Sequence, residues 1–317
     1  MRDVLFIKTS SLGDVIHHMP ALTEARAARP DARISWLVEE AFAPLARLHP
    51  GVDTVIPVAL RRWRKSPFAP AVWREIAANW RALRAAHYDL IVDTQGLVKT
   101  GFLSRIARGT RHGYDRDSIK EPLASSCYDV RHKVSRDLHA VERNRILTGQ
   151  ALGYAPQGAP DFGLDRARFR AAGQPYAVLL HATAQAQKEW PVANWIALGR
   201  HIEAQGLEIV LPFGNERERA RSLDIAAGLS RAKVPDFAPL DRVAQLVGGA
   251  HYVVGVDTGL LHLAAALGVP LVAIFAGSRP ELTGPVGSGP LTVLGAPGAP
   301  PAVDEVIAAV AGLPGSP

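Results

Sequence analysis

Apolar residues along this chain fall into short, nearly continuous runs separated by longer stretches with helical spacing. In the first half the runs are Val4–Lys8, Arg33–Val38, Thr54–Ala59 and Leu90–Thr94. Helical patterns lie between them, near 14–28, 41–48, 70–86 and 98–107, and a further helix is predicted from Ser135 to Leu152 with His139, Glu142 and Arg145 on its polar face. Unbroken apolar strands alternating with helices imply a parallel sheet covered on both faces. Over 153–174 the pattern lapses into Gly, Pro, Ala and Arg, the composition of a linker. It then restarts, with strands at Tyr176–His181, Leu207–Pro212, His251–Val256 and Leu271–Phe275 and helices near 191–205, 215–229, 240–248 and 258–267. An amphipathic stretch, Val303–Ala311, closes the chain. The expectation is an α/β protein of two Rossmann-like halves, 1–160 and 161–317, facing a crevice, with the last helix free to pack back on the first half.

The strand-to-helix turns carry the candidate chemistry. Val4–Ile7 runs into Lys8-Thr9-Ser10-Ser11-Leu12-Gly13-Asp14. Such a turn presents backbone N–H groups and a positive helix end at the edge where open α/β sheets bind ligands. An aspartate there stays ionised, so Asp14 is placed to accept a hydrogen bond or a proton. In the second half Val253–Val256 ends in Asp257-Thr258-Gly259, with His262 a turn later. This makes a phosphate cradle, or a simple capping turn. Lys188, in the loop before Pro191, can neutralise a diphosphate or be an exposed surface lysine. After Gly214, Glu216 and Glu218 compete as the acid that holds a ribose, a helix-dipole role being equally open to either. Asp93-Thr94-Gln95-Gly96 ends a strand at the same edge as Asp14 and either lines a second ligand site or caps a helix.

Composition narrows the partners. Of 317 residues 48% are hydrophobic and 21% charged, an ordinary globular balance, and the net charge of +6 favours anionic ligands. Arg61-Arg62-Trp63-Arg64-Lys65 is the densest basic run, read as a loop, with no acidic residue between Asp53 and Glu75. Nucleic acid is not expected, since no zinc, helix-turn-helix or RNP pattern accompanies the charge. The single cysteine, Cys127, excludes an intramolecular disulfide and fits a reducing compartment. With no long apolar run and no signal-peptide layout, a cytoplasmic location is expected. No G-x-G-x-x-G, P-loop, H-E-x-x-H or paired CxxC is present, and adjacent His17 and His18 point to different sides of a helix, so no catalytic metal is expected.

Taken in order, the Lys8–Asp14, Trp36–Glu40, Arg61–Lys65, Asp93–Gly96, Glu121–Ser125 and Asp257–His262 motifs resemble the lipopolysaccharide heptosyltransferase family, over Met1 to about Phe275. The Arg-Arg-Trp-Arg-Lys run is similar to the type I members, which add the first heptose of the inner core. The resemblance implies a GT-B fold and an inverting, metal-independent transfer of heptose from ADP-heptose to the 3-deoxy-manno-octulosonic acid (Kdo) of Kdo-lipid A, with no cofactor. It implies Asp14 as catalytic base. Thr183, Lys188, Glu218, Asp257, Thr258, Gly259 and His262 would bind the donor; Ser10, Ser11, Gly13, Arg61, Arg62, Arg64, Lys65, Gln95 and Lys120 would bind the acceptor. The family's Thr-Thr pair reads Thr183-Ala184 here, and a position often occupied by arginine is Lys120. A lipid acceptor also implies peripheral contact with the cytoplasmic face of the inner membrane, through loops near Trp63–Trp73. A later-acting heptosyltransferase and a GT-B nucleotide-sugar epimerase are the competing readings.

Overall fold

The computed structural model describes residues 1–169, 174–183, 189–277 and 280–314. The chain divides into two compact units, Met1–Gly163 and Leu164–Pro317.

The first unit runs β1 (Asp3–Ile7), α1 (Leu12–Ala28), β2 (Arg33–Glu39), α2 (Ala43–Ala46), β3 (Thr54–Val58), α3 (Leu60–Lys65), α4 (Pro70–Ala85), β4 (His87–Asp93), α5 (Val98–Ile106), β5 (Arg108–Tyr114), β6 (Val130–His132) and α6 (Ala140–Leu152). Its strands form one parallel sheet in the order β3-β2-β1-β4-β5-β6. The most apolar run, Val4–Ile7, is fully buried between β2 and β4, which is why it takes the centre. Strand order reverses there, so the loops after β1 and β4 lie side by side at the carboxyl edge.

The second unit runs β7 (Tyr176–Leu180), α7 (Val192–Ala204), β8 (Glu208–Val210), α8 (Glu216–Ala226), β9 (Ala232–Lys233), α9 (Leu240–Gly248), β10 (Tyr252–Val256), α10 (Gly259–Ala266), β11 (Leu271–Ile274), α11 (Pro280–Thr283), β12 (Leu291–Leu294) and α12 (Val303–Ala311). Its parallel sheet, β12-β11-β10-β7-β8-β9, repeats the first topology, with the reversal between β7 and β10. The two central strands pack closely because β10 carries Gly255: a Cβ there would lie 2.8 Å from Leu180 Cβ. Trp190 and Trp195 meet edge to face at 5.2 Å in the core, and Trp190 Nε1 donates to Pro301 O at 3.0 Å. The closing helix α12 belongs to this core, with Val306 and Val310 buried against it.

The fold class is as expected, with three local differences. Arg61–Lys65 is a helix, α3, because Trp63 anchors it in the core. The edge strands β6, β9 and β12, and β5 beside β6, carry polar or mixed sequences and were not predicted. The helix expected from Ser135 begins at Ala140, capped by His139 Nδ1, which accepts from Val141 N at 3.2 Å. Its Arg145 is buried rather than on a polar face, donating to Glu24 at 2.8 Å and Glu142 at 2.6 Å.

Candidate active site

In the first unit the edge of the sheet is organised around Asp14, in the first turn of α1. Its Oδ2 accepts from the backbone N–H of Ser11 at 2.7 Å and from the Ser11 hydroxyl at 3.2 Å. The carboxylate thus caps its own helix with one oxygen. Oδ1 has no hydrogen-bond partner among the described residues, and Asp14 is half-buried. One oxygen pinned and one open is the arrangement an oriented base needs.

The preceding loop is held from the neighbouring strand. Gln95 Oε1 accepts from Thr9 N and Ser10 N, both at 3.0 Å. Gln95 is held in turn by Asp93, whose Oδ1 accepts from Gln95 N at 2.9 Å and Gly96 N at 3.2 Å, while Tyr128 donates to Oδ2 at 2.7 Å. The tight turn requires Gly96, which has φ +68°. Burial pushes the Asp93 carboxyl above the usual carboxylate range, against the pull of these donors. The sequence left Gln95 as an acceptor contact. In the structure its carbonyl oxygen is spent on the loop, which leaves only its NH₂ for a substrate.

Lys8 is buried beneath the loop, with Nζ donating to Thr94 O at 3.0 Å and Asn144 Oδ1 at 3.5 Å. Burial lowers its ammonium pKa while Asp14 and Asp93 oppose the shift. Lys8 lies within the motif singled out from the sequence but was given no role. Asn144 and Tyr128 carried no signal, since the fold alone brings them here. Ser10 Oγ is 3.4 Å from Lys99 Nζ. Gly13 is buried in the helix turn and Lys120 is exposed beside Glu121, whose Oε2 accepts from Val98 N at 2.6 Å.

The basic run is split by the helix that carries it. Trp63 is 6% exposed, so it cannot belong to a membrane-facing loop. Arg61 stacks on Phe42, with its guanidinium 5.1 Å from the ring centroid. Arg62 is held by Glu40 at 2.9 Å and Glu75 at 2.7 Å, so its charge is neutralised within the unit. Arg64 and Lys65 are exposed and have no side-chain partner among the described residues. They are the cations this run offers to an anion.

In the second unit the corresponding edge holds Thr183 after β7 and Asp257-Thr258-Gly259 after β10. Thr258 is extended (φ −142°, ψ 161°) and starts α10, with Gly259 its first helical residue. His262 Nε2 lies 3.9 Å from Asp257 Oδ1 across that turn. Glu218 and Glu216 are now distinguished. Glu218 Oε2 accepts from Gly214 N at 2.8 Å and Oε1 from Asn215 Nδ2 at 2.7 Å, while Asn215 Oδ1 accepts from Glu218 N at 3.1 Å. Glu216 extends into solvent, 3.9 Å from Arg219. Glu218 therefore sits fixed in the β8–α8 turn, although capping engages both its oxygens.

Lys188 and Ala184 lie outside the described residues. The flanks of their segment are braced from α8, which the sequence reading missed. Arg217 donates to Thr183 O and to Glu189 Oε1, both at 2.7 Å. Arg221, one turn on, donates to the carbonyls of Trp190 and His181. The signal was present as two arginines at i, i+4 in Glu-Arg-Glu-Arg-Ala-Arg. Among the described residues there is no group of three His, Cys, Asp or Glu able to hold a metal ion, and no helix long and apolar enough to cross a membrane.

Residues 76–304 match the model of glycosyltransferase family 9 (heptosyltransferase). Lipopolysaccharide heptosyltransferase 1 of Salmonella typhimurium is 44% identical over 289 residues, 90% of this chain and 91% of that one. The chain belongs to glycosyltransferase family 9. The Pseudomonas aeruginosa lipopolysaccharide heptosyltransferase 1 is 45% identical over 293 residues, 90% of this chain and 81% of that one. The structure of the Escherichia coli heptosyltransferase WaaC with ADP superimposes with a TM-score of 0.91 at 40% identity, covering 96% of this chain and 97% of that one. This family 9 enzyme is thus a heptosyltransferase with the GT-B fold. The family match begins at residue 76, beyond Asp14 and Arg61–Lys65, and includes the Asp257–His262 turn. The likeness to the type 1 heptosyltransferases extends over nine-tenths of the chain.

Proposed function

We propose that the enzyme transfers L-glycero-D-manno-heptose from ADP-heptose to Kdo of Kdo-lipid A, with inversion and without a metal or other cofactor. The observation that carries the mechanism is the Asp14 carboxylate, pinned by Ser11 through one oxygen and open at the other. The Kdo hydroxyl oxygen forms the new bond to the anomeric carbon as the bond to the diphosphate oxygen breaks. Asp14 takes the hydroxyl proton and ADP leaves with the electron pair. A carboxylate is a weak base toward an alcohol, so proton transfer comes late, once the sugar has gained oxocarbenium character. Lys188 and the start of α10 at Thr258–Gly259 neutralise charge growing on the diphosphate, and Glu218 holds the ribose. Arg64 and Lys65, with the Gln95 NH₂, Ser10 and Lys120, meet the anionic acceptor. A lipid acceptor places the enzyme on the cytoplasmic face of the inner membrane. Support for donor and acceptor comes from the full-length likeness to heptosyltransferase 1 and to an enzyme solved with ADP.

The test is turnover of the purified enzyme with ADP-heptose and Kdo-lipid A, with and without EDTA. Transfer undiminished by EDTA is expected. Transfer only to an already heptosylated lipid A would assign a later step in the core, and sugar released or epimerised without acceptor would assign an epimerase.

A further inference from the structure

Helix α4 is amphipathic in an unusual way. Its inward side, Val72, Ile76 and Leu83, packs into the first unit's core. On the outward side Trp73 and Trp80 recur two turns apart, both exposed, at 58% and 37%. Arg74, Arg81 and Arg84 flank them, and none pairs with a carboxylate among the described residues. The helix's only acid, Glu75, is turned away and tied to Arg62. The strip continues onto α5, where Phe102, 54% exposed, meets Trp80 edge to face at 5.9 Å, with Val98 and Arg105 exposed beside it. Phe68, 93% exposed, precedes α4. The same α5 carries Lys99, whose Nζ reaches Ser10 Oγ at 3.4 Å, so the strip is continuous with the loop that leads to Asp14.

We propose that this α4–α5 face, rather than the Arg61–Lys65 helix, docks the enzyme onto an anionic lipid bilayer. Indole rings settle at the boundary between headgroup and acyl chain, and arginines alongside reach lipid phosphates, so one surface accepts both components. A second copy of the chain is a poorer occupant, since a self-complementary contact would set arginine against arginine with no acid on the face to relieve it. The lipid nature of the acceptor rests on the proposed function; the docking itself does not. It explains how an enzyme can hold the acyl part of an acceptor in the membrane while the sugar meets the Ser10–Asp14 loop.

The test uses the full chain and vesicles of phosphatidylethanolamine, with and without phosphatidylglycerol. Of the six tryptophans, Trp36, Trp63, Trp190 and Trp195 are buried, so brominated lipid can quench only Trp73 and Trp80 by contact. Quenching on anionic vesicles is expected, together with a drop in partitioning on the order of 10- to 100-fold when Arg74, Arg81 and Arg84 become Gln. Trp73→Ser with Trp80→Ser should also release the protein. The arginine variant should melt like the parent and the tryptophan variant somewhat lower, since Trp73 Nε1 donates to Pro67 O at 2.8 Å and Trp80 packs on Phe102. Both should stay folded at the assay temperature and transfer heptose normally to a deacylated, water-soluble Kdo acceptor. Absence of quenching, or partitioning unchanged in both variants, overturns the proposal, as does a concentration-dependent dimer lost in the Trp variant without vesicle binding. If the parent binds vesicles but turns over no Kdo acceptor, the docking stands and the assigned function falls.

Discussion

At the scale of single residues, the site depends on which oxygens are already engaged. Asp14→Asn should reduce turnover by about 10²-fold or more while leaving the melting temperature and ADP affinity near those of the parent, because the amide still caps α1 through its oxygen but cannot take a proton. Calorimetric ADP binding beside steady-state kinetics checks this, and near-normal turnover would remove Asp14 from the chemistry. Gln95 makes a second test. Gln95→Leu deprives Thr9 N and Ser10 N of their shared acceptor, so the loop loses its brace. Leaving such donors unpaired costs about 1–3 kcal/mol. The expected result is a lower kcat with ADP affinity retained, beyond the acceptor affinity lost with the NH₂, whereas a fall in acceptor affinity alone would leave Gln95 with substrate binding and no part in bracing the loop. Asp14 and Gln95 were both legible in the sequence as polar residues following apolar strands. What Gln95 does was not, because its partners lie 86 and 85 residues away and become neighbours only when β1 and β4 pair.

Among the elements, the central strands were the most legible, and of the edge strands only β3 was predicted. A strand buried on both faces has to be apolar, so β1, β2, β4, β7, β10 and β11 stand out in the sequence. Strand β5, Arg-Gly-Thr-Arg-His-Gly-Tyr, is paired on both sides by β4 and β6 but buries only Gly113 and Tyr114 fully, so its sequence is mostly polar. Helix α3 was hidden for another reason: four of its six residues are basic, and the single anchor Trp63 is too little periodicity to see. In helix α8 the capping residue Glu218 is also the proposed ribose ligand. Asn215→Ala removes the acceptor for Glu218 N and should cost about 1 kcal/mol of stability. Glu218→Gln keeps a carbonyl oxygen for Gly214 N, so it should be milder in thermal unfolding, yet weaken ADP affinity by the larger factor because the carboxylate is lost to the ribose. Equal weakening of ADP binding by the two substitutions would mean that Glu218 acts only through the shape of the turn.

At the scale of the whole molecule, each unit repeats one sheet topology and each buries histidine that must stay neutral, His18 and His49 in the first and His181 in the second. In the first, His49 Nδ1 accepts from Gly51 N at 3.1 Å and Nε2 meets Thr23 Oγ1 at 3.1 Å, a pattern suited to the neutral ring. Burial lowers its pKa to about 4. In the second, His181 Nε2 meets Ser222 Oγ at 2.8 Å, and burial, with Arg221 and Arg217 nearby, brings its pKa to about 4 as well. The unfolded chain protonates both near pH 6.5, so between about 6.5 and 4 it binds protons that the native state refuses. Stability should therefore be complete above pH 7 and decline as pH falls through that window, each histidine adding up to about 1.4 kcal/mol per pH unit to the slope. Thermal unfolding from pH 7.5 to pH 4.5 measures the decline. His49→Gln, which can keep an acceptor for Gly51 N, should flatten it by up to one proton, and His181→Gln by a similar amount. An unfolding temperature that does not fall across this range, or a slope that neither substitution changes, would show that these rings take up their protons within the fold.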